Sequence, residues 1–283
     1  MVPAPPAYTP ADTLKLIMQT WQWHHWNGLS YLTCSLLEPW SHGFFTRQFS
    51  PKPPRQLVTV LDAEARVYRV KQVHGNRVLK TGNMPAVTHH LHETEDMSSH
   101  LPQADGIVTE QDRESVWTCT ADCTPVLIGD RASGQVSAIH AGWRGTSLKI
   151  VPQAIALMQA QGSQLADLAI AMGPAITGEV YQVGIDVATQ VGATIVTEDA
   201  PEAMLARLQE LPNSPILSDP EPGKVRLDVR RVNALQLEQL GIAPEQIAIA
   251  PFCTYSDPEH FFSYRREGLK KVQWSGIISR RFD

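Results

Sequence analysis

Three short segments of this 283-residue chain combine residue types that ligate metals or move protons. Lys71-Gln72-Val73-His74-Gly75 ends a strand-like run with an imidazole and a turn-forming glycine. Thr120-Ala121-Asp122-Cys123-Thr124-Pro125 is a polar break between two strand-like runs and carries a thiol beside a carboxylate. His140-Ala141-Gly142-Trp143-Arg144-Gly145-Thr146 leads from a strand into the clearest helical pattern of the chain. Each segment places a candidate ligand where a strand gives way to a turn, and folds host sites at such ends. Every residue taken singly has a plainer reading. A histidine at a strand end is commonly a hydrogen-bonded structural group, and an isolated cysteine a small buried hydrophobe. Cys119 and Cys123 form a C-x3-C pair with no second pair to complete a zinc ribbon, and Cys119 shares a strand face with Trp117 and Ala121, which marks it as core. His89, His90 and His92 stand in an acidic, aperiodic stretch where solvated imidazoles are the simpler account. Spacing alone leaves a His/Cys/His site open.

The elements that must position these segments are short. Runs rich in Val, Ile and aromatics predict strands over 66–73, 104–109, 116–121, 124–129, 135–140, 167–172, 247–252, 261–265 and 272–278. Helical spacing predicts helices over 11–20, 146–161, 183–193, 200–210 and 228–240. Within 146–161, Pro152 is tolerated only near a helix start, so the regular part begins a few residues after Thr146. Asn27-Gly28 between the tryptophans at 21, 23 and 26 and the apolar residues Leu29, Tyr31 and Leu32 reads as a hairpin with a type I′ turn. The proline-rich stretches at 51–54 and 211–224 and the polar stretch at 88–103 read as loops. Strands arrive in runs rather than in βαβ alternation. That predicts an α/β fold of α+β character, a mixed-sheet sandwich, not a doubly wound parallel sheet.

Composition narrows the function without naming it. Apolar residues make up 43% of the chain, close to the globular norm, so wholesale disorder is excluded. The 24 Lys and Arg against 29 Asp and Glu leave a net charge of −5 and no basic footprint for phosphate-neutralising nucleic-acid binding. Four cysteines do not make a disulfide scaffold. Residues 16–37 carry no formal charge, but Gln19, Gln22, His24, His25 and Asn27 make that stretch too polar for a membrane span. The expectation is a soluble cytoplasmic protein. No internal repeat or Gly/Ser linker divides the chain.

The segments KQVHG, ADGIV, TADCTPVLI, IHAGWRGT, MGPAI, YQVG and FFSYRREG occur in an order and at spacings that resemble the YfiH family, from about His42 to Arg281. That family is variously described as laccase-domain proteins, polyphenol oxidases and purine nucleoside phosphorylases. The resemblance implies the sandwich of the YfiH and cytotoxic-necrotizing-factor type. Unbroken from about residue 42 to 281, it also implies one catalytic domain over 1–283, with 1–40 as an extension and hairpin. It also implies a zinc site on His74, Cys123 and His140, with copper as the alternative metal. Three protein ligands leave an open coordination position, the arrangement of catalytic zinc. Arg144 falls where the family places an anion-binding arginine, between two glycines that permit close backbone approach and just ahead of a helix. Arg47 in HGFFTR is a second candidate cation, and Asp122 and Gln72 are candidates for orienting ligands or moving protons.

The implied activity is purine nucleoside phosphorolysis on inosine, guanosine and adenosine, with adenosine deamination as a companion, and a small nucleoside and phosphate as partners. The H-x-E…P-C-x-x-C signature of nucleobase deaminases is absent. Alternatives are a metal-dependent amide hydrolase acting on a peptidoglycan precursor, a metal-free hydrolase in which His140 activates Cys123, a copper polyphenol oxidase, and a non-enzymatic binding role. Two departures stand out. Gln48-Phe49-Ser50-Pro51 replaces the usual Gly-Gly-Val-Ser run, and Tyr181-Gln182 replaces a Tyr-Glu pair, removing a carboxylate.

Overall fold

The structure, a computed structural model, describes residues 20–86 and 101–282. Trp21–Trp26 (β1) and Leu29–Cys34 (β2) pair as the expected hairpin. Its turn residues Asn27 and Gly28 have φ of 49° and 78°. Two successive positive values are what a type I′ turn requires, and Asn-Gly reaches them at least cost.

Two six-stranded mixed sheets carry the architecture. The first runs β1-β2-β3-β15-β7-β4, with β3 at His42–Phe45, β4 at Arg66–Tyr68, β7 at Glu114–Thr120 and β15 at Gln273–Ile278. The second runs β14-β10-β8-β9-β6-β5. Its strands are β5 at Val78–Lys80, β6 at Gly106–Val108, β8 at Thr124–Asp130, β9 at Val136–Ala141, β10 at Leu168–Met172 and β14 at Ile247–Ile249. Each large sheet is antiparallel except at one edge or both: β4 joins β7, β14 joins β10 and β5 joins β6 in parallel. A small antiparallel sheet, β11-β13-β12, stands apart, formed by Gln182–Gly184, Lys224–Leu227 and Ile216–Ser218.

The two large sheets face each other. Trp21, Leu32, Phe44, Val116 and Ile277 from the first meet Ile107, Leu127, Ala138 and Ala171 from the second in one buried cluster. The far side of the second sheet is covered by the helices Ile150–Gln159 and Val229–Gln239 through Ile150, Ile155, Met158 and Leu237. Strands β8, β9 and β10 are therefore buried at every position, which is why their sequences are nearly continuous apolar runs instead of alternating ones. Each fully buried Leu, Ile or Val there contributes roughly 1.5–3 kcal/mol relative to exposure. Helix Pro54–Leu61 covers the far side of the first sheet through Leu57 and Val58, against Phe45, Phe49 and Trp117.

Three local expectations are corrected. The helix expected over 146–161 is two helices, Trp143–Ser147 and Ile150–Gln159, broken where Lys149 takes φ of 56°. The break puts Pro152 in the first turn, where its missing N–H costs no helical bond. The segment 261–265 is not a strand. Ser263 caps a short helix, Tyr264–Glu267, by accepting the Arg266 N–H, and Gly268 ends it in the left-handed region, so capping overrides the aromatic β propensity. The prolines at 51–54 read as a loop, yet Pro54 opens a helix, because proline at the first helical position loses no bond. The helix expected at 11–20 lies almost entirely outside the described residues, as do most of the 88–103 loop and His89, His90 and His92.

Candidate metal centre

The chain passes from the first sheet to the second twice near one end of the sandwich. One passage, between β4 and β5, carries His74; the other, between β7 and β8, carries Asp122 and Cys123. His140 lies in β9 opposite Pro125 of β8, beside the second passage. Residues 49 and 17 positions apart in sequence thus meet at one place. A ligand-donor atom from each of His74, Cys123 and His140 lies within 4.8 Å of the other two. The two imidazole rings stand edge to face, with centroids 4.8 Å apart.

Both passages turn sharply. His74 has φ of 59° and Asp122 of 95°, left-handed values that side chains other than glycine seldom adopt. Such backbone persists only where its surroundings hold it. For His74 the hold is the buried carboxylate of Asp105, which accepts backbone N–H groups from Val73, His74 and Gly75 at 3.2, 2.9 and 2.8 Å. The same carboxylate lies 2.8 Å from Nδ1 of His140. With Nδ1 so engaged, Nε2 of His140 is left to face the cluster. For Asp122 the hold is the loop that returns to β15: its carboxylate accepts the Thr254 hydroxyl and the Arg265 backbone N–H, each at 2.7 Å.

Gly142 sets the floor of the cluster. A Cβ placed there would lie 2.8 Å from Sγ of Cys123. Burial by itself would push the Cys123 thiol up, but the charge of His140 and hydrogen bonds from His140 and His74 outweigh it and bring its pKa down to about 6. Burial would lower His140, yet the Cys123 charge and the Asp105 carboxylate raise it to about 9. Without a metal, the pair is therefore a thiolate beside an imidazolium near neutral pH. A thiolate and two imidazoles, one of them held by a carboxylate on its far nitrogen, suit a zinc-like ion in donor type and in supporting hydrogen bond.

Arg144 is exposed, one residue past the partly buried Trp143, with its guanidinium 4.4 Å from the Trp143 ring centre. Arg47 and Gln72 have their side chains engaged elsewhere. Arg47 donates to Glu267 at 3.0 Å and to the Pro258 carbonyl at 2.8 Å, and lies over Phe262. Gln72 pairs with the Cys119 backbone through both ends of its amide, at 2.8 Å each, so it acts as a piece of strand beside β7. Gln182, which replaces a carboxylate in the resemblance, donates to Asp219 at 3.0 Å and Glu221 at 3.2 Å. A third carboxylate there would meet two others. Cys119 is only partly buried as a residue, but burial of its thiol pushes the pKa up to about 12, in keeping with a packing role.

A family model described as multi-copper polyphenol oxidoreductase laccase matches residues 53–279, a span that contains every ligand candidate above. The chain belongs to this family. A Synechocystis protein named purine nucleoside phosphorylase slr1573 is 50% identical over 265 residues, covering 92% of this chain and 97% of its own length. The crystal structure of YlmD from Geobacillus stearothermophilus superposes with a TM-score of 0.73 at 25% identity, over 92% of this chain and 99% of that one. The Bacillus licheniformis hypothetical protein YfiH does so with a TM-score of 0.70 at 24% identity, over 90% and 98%. The fold is thus the mixed α/β sandwich of the YfiH family. No helix among the described residues is long and apolar enough to cross a membrane.

The contributions of Asp105, Thr254 and Arg265 to this cluster escape a residue-by-residue reading. Asp105 had a signal: a carboxylate placed directly before Gly106-Ile107-Val108, three residues buried in a strand, must find partners nearby. Thr254 and Arg265 had none, since their partner Asp122 lies more than 130 positions away.

Proposed function

We propose that the chain is a zinc-dependent purine nucleoside phosphorylase acting on inosine, guanosine and adenosine, with adenosine deamination as a side activity. The observation that carries this reading is the convergence of His74, Cys123 and His140, with Arg144 four residues past His140, in a chain half identical to a protein named purine nucleoside phosphorylase. The reading takes residues 1–283 as one catalytic, cytoplasmic domain.

His74, Cys123 and His140 would hold the metal. When bound, zinc supplies a Lewis acid that stabilises negative charge developing on the substrate. Asp105 fixes the ring of His140 and the backbone of His74, so the donors are set before substrate arrives. Arg144 attracts phosphate. In the reaction a phosphate oxygen bonds to C1′ of the ribose as the bond from C1′ to the purine nitrogen breaks. That bond's electron pair leaves with the purine, which takes up one proton. Asp122 shapes the Cys123 turn and is the carboxylate next to the cluster in sequence. Two imidazoles and a thiolate also suit copper, and metal analysis of the purified protein separates the two.

The test is incubation of zinc-loaded protein with inosine and adenosine, with and without phosphate, following free bases by chromatography. Phosphate-dependent hypoxanthine release that disappears in His74→Ala is the expected result. If zinc-loaded protein turns over no nucleoside, the proposal fails and the amide-hydrolase reading takes its place.

A further inference from the structure

Four arginines stand in the segments around Asp122, Cys123 and the helix Tyr264–Glu267: Arg47, Arg144, Arg265 and Arg266. Two are consumed by the protein. Arg47 is paired with Glu267, and Arg266 donates to the carbonyls of Thr254, Tyr255 and Phe261 and to Glu267. The other two differ. Neither the Arg144 nor the Arg265 guanidinium is paired with a carboxylate among the described residues, and each lies against an aromatic ring, Arg144 on Trp143 at 4.4 Å and Arg265 on Tyr181 at 4.8 Å.

Their anchorage ties both to the cluster. The backbone N–H of Arg265 is bound at 2.7 Å by Asp122, the residue before Cys123. Arg144 is two residues past Gly142, whose Cα hydrogen side faces Sγ of Cys123. Tyr181, under the Arg265 guanidinium, is within electrostatic reach of Cys123, Asp122, Arg265 and Arg144 together. The Arg265 side chain is steadied from a third direction, donating to the Gln182 carbonyl at 2.8 Å. A stacked guanidinium without a carboxylate keeps its charge and most of its donors available, and its orientation is already limited by the ring beneath it.

We propose that Arg265 is the second phosphate-binding residue of the site, clamping inorganic phosphate together with Arg144 across Tyr181. The assignment rests on the phosphorylase reading for its ligand. Each guanidinium offers a fork of paired N–H donors to phosphate oxygens, and two of them match the charge of a phosphate dianion, which a single arginine does not. The short helix carrying Arg265 lies on the passage from β14 to β15, whereas Arg144 lies in the helix Trp143–Ser147 that follows β9, so the clamp would join two segments distant in sequence around one anion.

The experiment compares wild type, Arg265→Met and Arg265→Lys at matched zinc content and matched circular dichroism. One arm measures inorganic phosphate binding by isothermal titration; the other measures inosine phosphorolysis against phosphate and against inosine. In Arg265→Met, phosphate should bind about tenfold more weakly or worse, with a matching rise in KM for phosphate and KM for inosine within about twofold. Arg265→Lys, which keeps the charge, should recover part of the loss. Unchanged phosphate binding in Arg265→Met, or a rise confined to KM for inosine, overturns the assignment. Arg265-dependent phosphate binding in a wild-type protein that cleaves no nucleoside supports the clamp and removes the phosphorylase reading instead. Should Arg265→Met fail to fold, the same two arms on Arg265→Lys decide: an unaltered phosphate affinity and KM there, where the fork of donors is gone, count against the clamp.

Discussion

One oxygen of the Asp105 carboxylate lies 2.8 Å from Nδ1 of His140 and also accepts the backbone N–H of His74, at 2.9 Å. A single buried group therefore orients one metal-ligand candidate by its ring and another by its main chain. Desolvation opposes the charged form of this carboxylate, but His140 and the N–H groups of Gly75 and Val73 outweigh it and hold its pKa below the usual value.

Asp105→Asn keeps the size of the side chain and removes its charge. Zinc affinity should fall about 10–100-fold, as for other carboxylates that support a ligating histidine. Competition against a chromophoric chelator measures this, and an affinity equal to wild type would show that the carboxylate does not tune the site.

Gly142→Ala introduces a methyl group that would lie 2.8 Å from Sγ of Cys123, closer than side chains tolerate. The turn must shift, at a cost of about 1–3 kcal/mol, and the thiolate must move with it. The expected outcome is purified protein with little bound zinc and a lowered melting temperature. Full zinc occupancy at unchanged stability would show that the close approach is unimportant.

Cysteine reactivity in metal-stripped protein should separate Cys123 from Cys119 and Cys34. Its pKa, brought down to about 6, leaves it mostly thiolate above that pH, whereas burial holds Cys119 and Cys34 at about 12 and about 11. Alkylation followed by peptide mass spectrometry should modify Cys123 ahead of Cys119 and Cys34 from pH 7 upward and slow as pH falls through 6. Restored zinc should protect it. Protection also removes the metal-free nucleophile reading, and equal labelling of Cys123 and Cys119 at pH 7 would contradict the ion pair.

His42 should make the fold acid-sensitive. The ring is buried, with Nδ1 donating to the Trp40 carbonyl and Nε2 accepting the Cys34 N–H, each at 2.8 Å, an arrangement that suits the neutral form. Burial lowers its pKa from 6.5 to about 4. Above 6.5 the ring is neutral folded and unfolded; as pH falls from 6.5 towards 4 only the unfolded chain takes the proton. Stability is therefore lost across that window, by about 3 kcal/mol in total, and no further below it. Urea titrations from pH 7.5 to 4 should show a steeper decline for wild type than for His42→Gln, and parallel curves would exclude the effect.

Much of the fold can be read locally. Asn27-Gly28 marks the hairpin, Asp228 caps the helix Val229–Gln239 with bonds to the N–H groups of Arg230 and Arg231, and the uniformly apolar runs at β8, β9 and β10 belong to strands covered on both faces. The misreadings were also local in cause. Pro54 and Ser263 act through helix ends, where one residue's capping or missing donor outweighs the propensity of the run around it.

By itself, the sequence determined the strand content, the mixed sandwich class and the family, because periodicity, turn chemistry and motif order are properties of neighbouring residues. It also put forward His74, Cys123, His140 and Arg144. Only the tertiary structure decided which side chains meet. The passages between the two sheets bring His74 to Cys123, Asp105 under both histidines and Arg265 beside Asp122, while Arg47 pairs with Glu267 instead. Those contacts follow from sheet order and crossover, so no spacing along the chain encodes them one pair at a time.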